Sequence, residues 1–105
     1  MTKIKICGIT NIEDAFECGK LGVDYIGLNF SLYSPRYIQP EKAKIIVKKI
    51  KNNFPDIKTI GIFQNSSAEE VFDVSADTHI DIIQLHGSEP CSYQENIKQQ
   101  TGKEI

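Results

Sequence analysis

Apolar and polar positions alternate with two different periods along this chain, and the changes of period divide it into units. Residues Lys3 to Thr10, KIKICGIT, hold a short run rich in β-branched residues that reads as a buried strand, with Cys7 at its C-terminal tip and Gly8 breaking it. Thr10 and Glu13 have the spacing of a capping box, and Ile12, Ala15, Phe16 and Gly19 follow at helical intervals up to Gly22, a glycine suited to a left-handed cap. YIGLNF (25–30) is a second strand. The loop SLYSPRYIQP comes next, and Pro40 with Glu41 opens a second helix that buries Ala43, Ile46, Val47 and Ile50 until Pro55 stops it.

KTIGIF (58–63) is a third strand, and its likeness to YIGLNF hints at an internal repeat. Ser67 and Glu70 make another capping box, opening a helix through Val71 and Val74. DIIQL (81–85) is the fourth strand, ending in His86 and Gly87. A weakly periodic fourth helix is expected over 90–102, with Ser92 and Glu95 as its box, and 103–105 read as entry to a fifth strand. Four βα units in succession predict an α/β fold of parallel strands joined by right-handed helical crossovers. In such folds chemistry is done at the C-terminal ends of the strands, where Cys7 falls.

Composition narrows the function classes. The chain has 105 residues, 40% hydrophobic and 25% charged, which suits one small globular domain. Twelve basic and fourteen acidic side chains give a net charge of −2, so nucleic acid is not expected as a partner. No apolar run approaches the roughly 18 residues of a membrane span, and the N-terminus lacks a signal-peptide pattern. Three cysteines without a CxxC pair suggest neither a disulfide framework nor a zinc site, and a cytoplasmic setting is expected. Cys18 and Cys91 read as inert.

KIKICGIT, GLNF followed by SPRYI, IGIFQN and QLHG resemble, in order and spacing, the N-terminal part of the phosphoribosylanthranilate isomerases. The resemblance runs from Lys3 to about Glu89. It implies four βα units of a TIM (β/α)8 barrel, a half-barrel with parallel strands occupying residues 1–105. It also implies an Amadori rearrangement in tryptophan synthesis, on a phosphosugar substrate and without metal or cofactor. A whole barrel needs roughly 200 residues or more. In the family the general acid is an aspartate on a later strand and the phosphate loops follow the last two strands, so neither falls within these residues.

On that resemblance Cys7 is the general base that takes the proton from C2′ of the ring-opened Schiff base. A thiol with an ordinary pKa of about 8.5 becomes a competent base where positive charge stabilises its thiolate. Arg36, the chain's one arginine, would hold the anthranilate carboxylate in a bidentate fork, with Tyr33 and Tyr37 as an aromatic wall or as loop packing. Gln84 and His86 lie two residues apart, hence on one face, and would form a polar wall of the pocket. Asn29 would orient substrate or cap a turn. His79 precedes its strand and is given no role, and the lysines between 42 and 58 read as a solvated helix face.

Two other functions are open on the sequence. One is a non-catalytic half-barrel remnant that self-associates, as a homodimer for instance, through its open edges. The other is a flavodoxin-like module, disfavoured because CGIT lacks the glycine-rich phosphate loop.

Overall fold

A computed structural model describes residues 3–32, 34–64, 66–85 and 98. Its elements alternate: β1 (Lys5–Ile6), α1 (Ile12–Leu21), β2 (Tyr25–Asn29), α2 (Pro40–Asn53), β3 (Lys58–Phe63), α3 (Ala68–Thr78) and β4 (Ile82–Leu85). The four strands are parallel and stand in chain order, β1-β2-β3-β4. The expected fourth helix and fifth strand lie outside the described residues, apart from the helical Lys98.

Local chemistry explains where the helices start and stop. α1 is capped by Asn11 rather than by the expected Thr10–Glu13 box: Asn11 Oδ1 accepts the Asp14 N–H at 2.8 Å, and its Nδ2 donates to the Asp14 carboxylate at 3.1 Å. Asparagine is the better cap, and it shifts the helix start by one residue. Gly22, at φ 74°, closes α1 as a left-handed cap. α2 has Pro40 in its first turn and ends at Asn53, short of Pro55. Ser67 Oγ accepts the Glu70 N–H at 3.1 Å to open α3.

Strand register sorts the side chains onto two faces, because residues paired across parallel strands point the same way. Ile26 and Leu28 on β2, Phe63 on β3 and Ile83 on β4 face the helices and are almost wholly buried. They pack with Ala15, Ala43, Ile46, Val47, Ile50 and Val71 in one core between sheet and helices. The opposite face carries Lys5, Tyr25, Asn29, Ile60, Ile62 and Gln84, as the pairings Lys5↔Tyr25, Asn29↔Ile62 and Ile62↔Gln84 require.

That second face is concave. Lys5 Nζ on β1 donates to Gln84 Oε1 on β4, three strands away. A flat sheet would hold those strands roughly 14 Å apart, at about 4.8 Å per strand spacing, so the sheet curls toward closure as a half-barrel does.

Two expectations are corrected here. β1 is not buried: it is a two-residue edge strand with a neighbour on one side, which leaves Ile4 50% and Ile6 38% exposed. The Ile-Gly pairs of β2 and β3 are not equivalent positions either. Gly27 pairs with Ile60 and Leu28 with Gly61, so the two glycines lie on opposite faces.

Candidate active site

The C-terminal ends of the strands bring Cys7 and Arg36 together. Past β1, the Gly8 and Ile9 N–H groups both reach the Gly27 carbonyl, at 3.1 and 3.3 Å, so Cys7 continues the pairing opposite Gly27. A Cβ on Gly27 would lie 3.1 Å from Cys7 Sγ and 3.4 Å from Ile62 Cδ1, so the thiol fills the space that glycine leaves on the concave face. Cys7 is exposed there and, like the buried Cys18, carries a free thiol. Burial pushes the Cys18 thiol up, with help from Asp14 and Glu17, which suits an inert packing residue.

Arg36 reaches the same place from the loop after β2. Ser34 shapes that loop: its hydroxyl accepts the Arg36 N–H at 3.1 Å, and its carbonyl accepts the Tyr37 N–H at 3.2 Å. Arg36 Nη1 then donates to the Cys7 carbonyl at 3.5 Å. Its aliphatic stem lies on Gly8, where a Cβ would come within 2.3 Å of Arg36 Cδ. Gly8 is therefore required twice, by its φ of +80° and by the arginine seated on it. The guanidinium stays exposed, leaving donors to offer a planar anion.

The other predicted residues divide. Gln84 stands on the concave face with its Oε1 engaged by Lys5. Asn29 Oδ1 accepts the Ser31 N–H at 2.9 Å and caps the turn that leaves β2. Tyr37 bridges to Asn29 and lines a groove with Phe30, Pro40 and Val74 on the helix side, which is loop packing rather than a pocket wall. His86 and Tyr33 lie outside the described residues. His79 caps α3 in a left-handed conformation (φ 60°), and its carbonyl accepts Lys51 Nζ at 2.7 Å. The lysine face is more than solvated, since Lys44 meets Asp77 at 3.4 Å and Lys51 meets Asp81 at 3.3 Å. Lys5 itself went unnoticed in the sequence. Its signal is the alternation K-I-K-I-C, which puts Lys5 and Cys7 on one face.

A depression at the other end of the strands has an open volume of about 510 Å³ and is lined by Lys3, Asp24, Tyr25, Asp56, Lys58, Asp81 and Ile82. Two of its carboxylates are committed to the backbone: Asp24 Oδ2 accepts the Ile4 N–H at 2.8 Å and Asp81 Oδ2 the Thr59 N–H at 2.9 Å. That end serves stability. Among the described residues no group of three or more His, Cys, Asp or Glu side chains is placed to hold a metal ion, and no helix is long and apolar enough to cross a membrane.

Known proteins place this arrangement. The sequence profile of the family described as "PRAI: N-(5'phosphoribosyl)anthranilate (PRA) isomerase" matches residues 4–105. The N-(5'-phosphoribosyl)anthranilate isomerase of Pelodictyon phaeoclathratiforme is 45% identical over 89 residues, covering 85% of this chain and 40% of the relative. The crystal structure of the Thermotoga maritima phosphoribosyl anthranilate isomerase superposes with a TM-score of 0.90 at 37% identity, over 95% of this chain and 47% of that one. A second isomerase structure, in complex with reduced 1-(o-carboxyphenylamino)-1-deoxyribulose 5-phosphate, gives the same score and identity over 95% and 50%. The chain thus spans about half the length of the proteins it matches. An arginine seated on the Cys7–Gly8 backbone at the C-terminal end of the strands, and a match over almost the whole sequence, lead to one assignment: the chain belongs to the N-(5'-phosphoribosyl)anthranilate isomerase family.

Proposed function

We propose that residues 1–105 form the N-terminal half of a phosphoribosylanthranilate isomerase barrel and supply the base side of its active site. The observation that carries this reading is the seating of Arg36 on the Cys7–Gly8 backbone, 3.5 Å from the Cys7 carbonyl, while the Cys7 thiol lies on the concave face against Gly27. In this reading Arg36 binds the anthranilate carboxylate in a fork and fixes the aromatic end of the substrate. Cys7 then removes the C2′ proton of the Schiff base, converting it toward the enol that becomes the ketose product. Gln84, His86 and Asn29 supply polar groups around the sugar. The acid that opens the furanose ring and the groups that anchor the phosphate come from the second half of the barrel. Without them the remote binding energy that orients the reacting end is missing. The free thiols suit a reducing cytoplasm.

A second reading, association of two copies, is favoured by the exposed Ile4 and Ile6 on the open edge at β1. One experiment addresses both. The chain is assayed by loss of phosphoribosylanthranilate fluorescence, alone and mixed with the C-terminal half of a family barrel, while sedimentation records what has assembled. Turnover is expected only in the two-half complex, and Cys7→Ala is expected to abolish it. Turnover that survives Cys7→Ala, or a folded two-half complex without turnover, overturns the proposal. Turnover by a homodimer of this chain would transfer it to the second reading.

A further inference from the structure

We infer that Gln64 is a positioning residue for Arg36: by accepting the Ser31 hydroxyl it ties the arginine's loop to the end of β3. The last residues paired between β2 and β3 are Asn29 and Ile62. One step on, the Phe30 N–H donates to the Ile62 carbonyl at 2.9 Å, and the Phe30 and Phe63 rings stack with centroids 5.3 Å apart. Two steps on, Ser31 Oγ donates to Gln64 Oε1 at 3.2 Å. The register of the two strands thus continues in side chains beyond its last paired residues.

From Ser31 an unbroken run of hydrogen bonds leads to the arginine. The Ser31 carbonyl accepts the Ser34 N–H at 3.1 Å, and the Ser34 hydroxyl accepts the Arg36 N–H at 3.1 Å. Both ends of the loop also return to one residue. Asn29 Oδ1 accepts the Ser31 N–H at 2.9 Å, and the Asn29 carbonyl accepts the Ile38 N–H at 2.9 Å.

Two anchors on a single residue fix where a loop is attached but not how it is turned about that point. An anchor on a neighbouring strand sets the turn. On the β1 side Arg36 Nη1 reaches the Cys7 carbonyl only at 3.5 Å, too long for a strong bond. A guanidinium that must offer its donors to a planar anion is also better held through its backbone than through those donors. On the other side stands β3, paired with a strand at each flank, and the buried Ser31 meets Gln64 there. Gln64 therefore sets the approach of Arg36 to the Cys7–Gly8 backbone from two bonded residues away, without touching substrate. This inference rests on Arg36 as the carboxylate-binding group only for its consequence in catalysis, since placement of the loop is measured without substrate.

The chain's one arginine supplies the test, because an arginine-specific protease has a single cutting point, Arg36–Tyr37, within the loop itself. The rate of that cut in the intact folded chain, followed by mass spectrometry of fragments 1–36 and 37–105, reads how often the loop leaves its seat. Gln64→Leu removes the acceptor, Gln64→Glu keeps one, and Ser31→Ala removes the donor. Gln64→Leu is expected to speed cutting about 3- to 10-fold, and Gln64→Glu to stay within about twofold of wild type. Adding Gln64→Leu to Ser31→Ala is expected to change the rate by less than about twofold, since the bond is already gone. Asp24→Ala, at the far end of the strands, calibrates how much cutting a given loss of Tm produces by itself. Gln64→Leu at the wild-type rate, a rise no larger than its loss of Tm accounts for, no rescue by Gln64→Glu, or full additivity with Ser31→Ala would overturn the inference. Gln64→Ala takes the place of Gln64→Leu where the latter fails to fold. In the two-half complex Gln64→Leu is expected to raise KM about 3- to 10-fold with kcat within about twofold, because Arg36 binds rather than reacts. An unchanged KM would also overturn the inference. A complex without turnover would fault the proposed function instead, and the cutting rates would still decide whether Gln64 places the loop.

Discussion

Asp24 and Asp81 make the same two hydrogen bonds in environments of opposite burial, which turns them into a measurement of what burial is worth. Each precedes an even-numbered strand and clamps the start of the strand before it. Asp24 accepts the Ile4 N–H at 2.8 Å and returns its own N–H to the Ile4 carbonyl at 2.9 Å. Asp81 accepts the Thr59 N–H at 2.9 Å and returns its N–H to the Thr59 carbonyl at 3.0 Å. Ile4 is 50% exposed, whereas Thr59 is 0% exposed and also gives its hydroxyl to Asp81 at 3.1 Å. Asp24→Ala lets water replace the carboxylate and should cost about 1 kcal/mol or less. Asp81→Ala strands a buried N–H and a buried hydroxyl and should cost about 2–4 kcal/mol. For a chain of this size that is a fall in Tm of roughly 10–25 °C, followed by circular dichroism.

Asp81→Asn keeps one acceptor and should fall between wild type and Asp81→Ala. Burial pushes the Asp81 carboxyl up, but the Thr59 N–H, the Lys51 ammonium and the Thr59 hydroxyl outweigh it and leave it below the usual aspartate range. The folded value is depressed, so the ionised carboxylate's contribution is complete above the ordinary value of about 3.9 and is lost as pH falls through the lower folded one. The gap between wild type and Asp81→Asn should therefore be constant near neutrality and narrow below about pH 4. Equal costs for Asp24→Ala and Asp81→Ala would refute the burial argument, and a gap that narrows between pH 6 and 8 would refute the assignment to this carboxylate.

Two glycine substitutions test packing in the same assay. Gly8→Ala and Gly22→Ala both force a side chain into a positive-φ site, at +80° and +74°, and each should cost about 1–2 kcal/mol for the backbone. Nothing lies within 4 Å of a Cβ at Gly22, whereas at Gly8 it would displace Arg36, so Gly8→Ala should lower Tm further; equal losses would mean that Arg36 does not rest there. Gly19→Ala gains about 1 kcal/mol of helix propensity but places a Cβ 2.3 Å from Phe54 Cε2, against a ring already packed edge-on to Phe16 at 5.6 Å. Overpacking of about 1–3 kcal/mol should win, and a raised Tm would show that Phe54 moves aside freely.

The elements legible in the sequence were those whose signals are local. β3 has the predicted bounds, Ser67 caps α3, Gly22 closes α1 and Pro40 opens α2, each through chemistry within a few residues. The Thr10–Glu13 spacing suggested a cap one residue too early, because spacing does not show which residue leaves the helical conformation; the backbone gives that place to Asn11, at an extended φ of −141°. The Ile-Gly likeness misled because sequence similarity carries no register, and a shift of one residue moves a glycine to the other face.

Lys5 was overlooked for a related reason. In K-I-K-I-C the isoleucines suggest a strand and draw attention to the face they bury, yet the same alternation sends Lys3, Lys5 and Cys7 the other way. Whether that other face meets solvent or a concavity depends on the curl of the sheet. The curl is set by pairings among four strands, and its record here is one hydrogen bond between residues 79 apart. A motif can therefore name the cysteine, but only the closed register shows which cation it shares a surface with. The arginine that the motif also names reaches the same residue at its backbone carbonyl by a separate route, over a glycine that admits no side chain. Cys7 thus shares its sheet face with Lys5 and its backbone carbonyl with Arg36, and both relations are set by residues far outside the KICG run that names the cysteine.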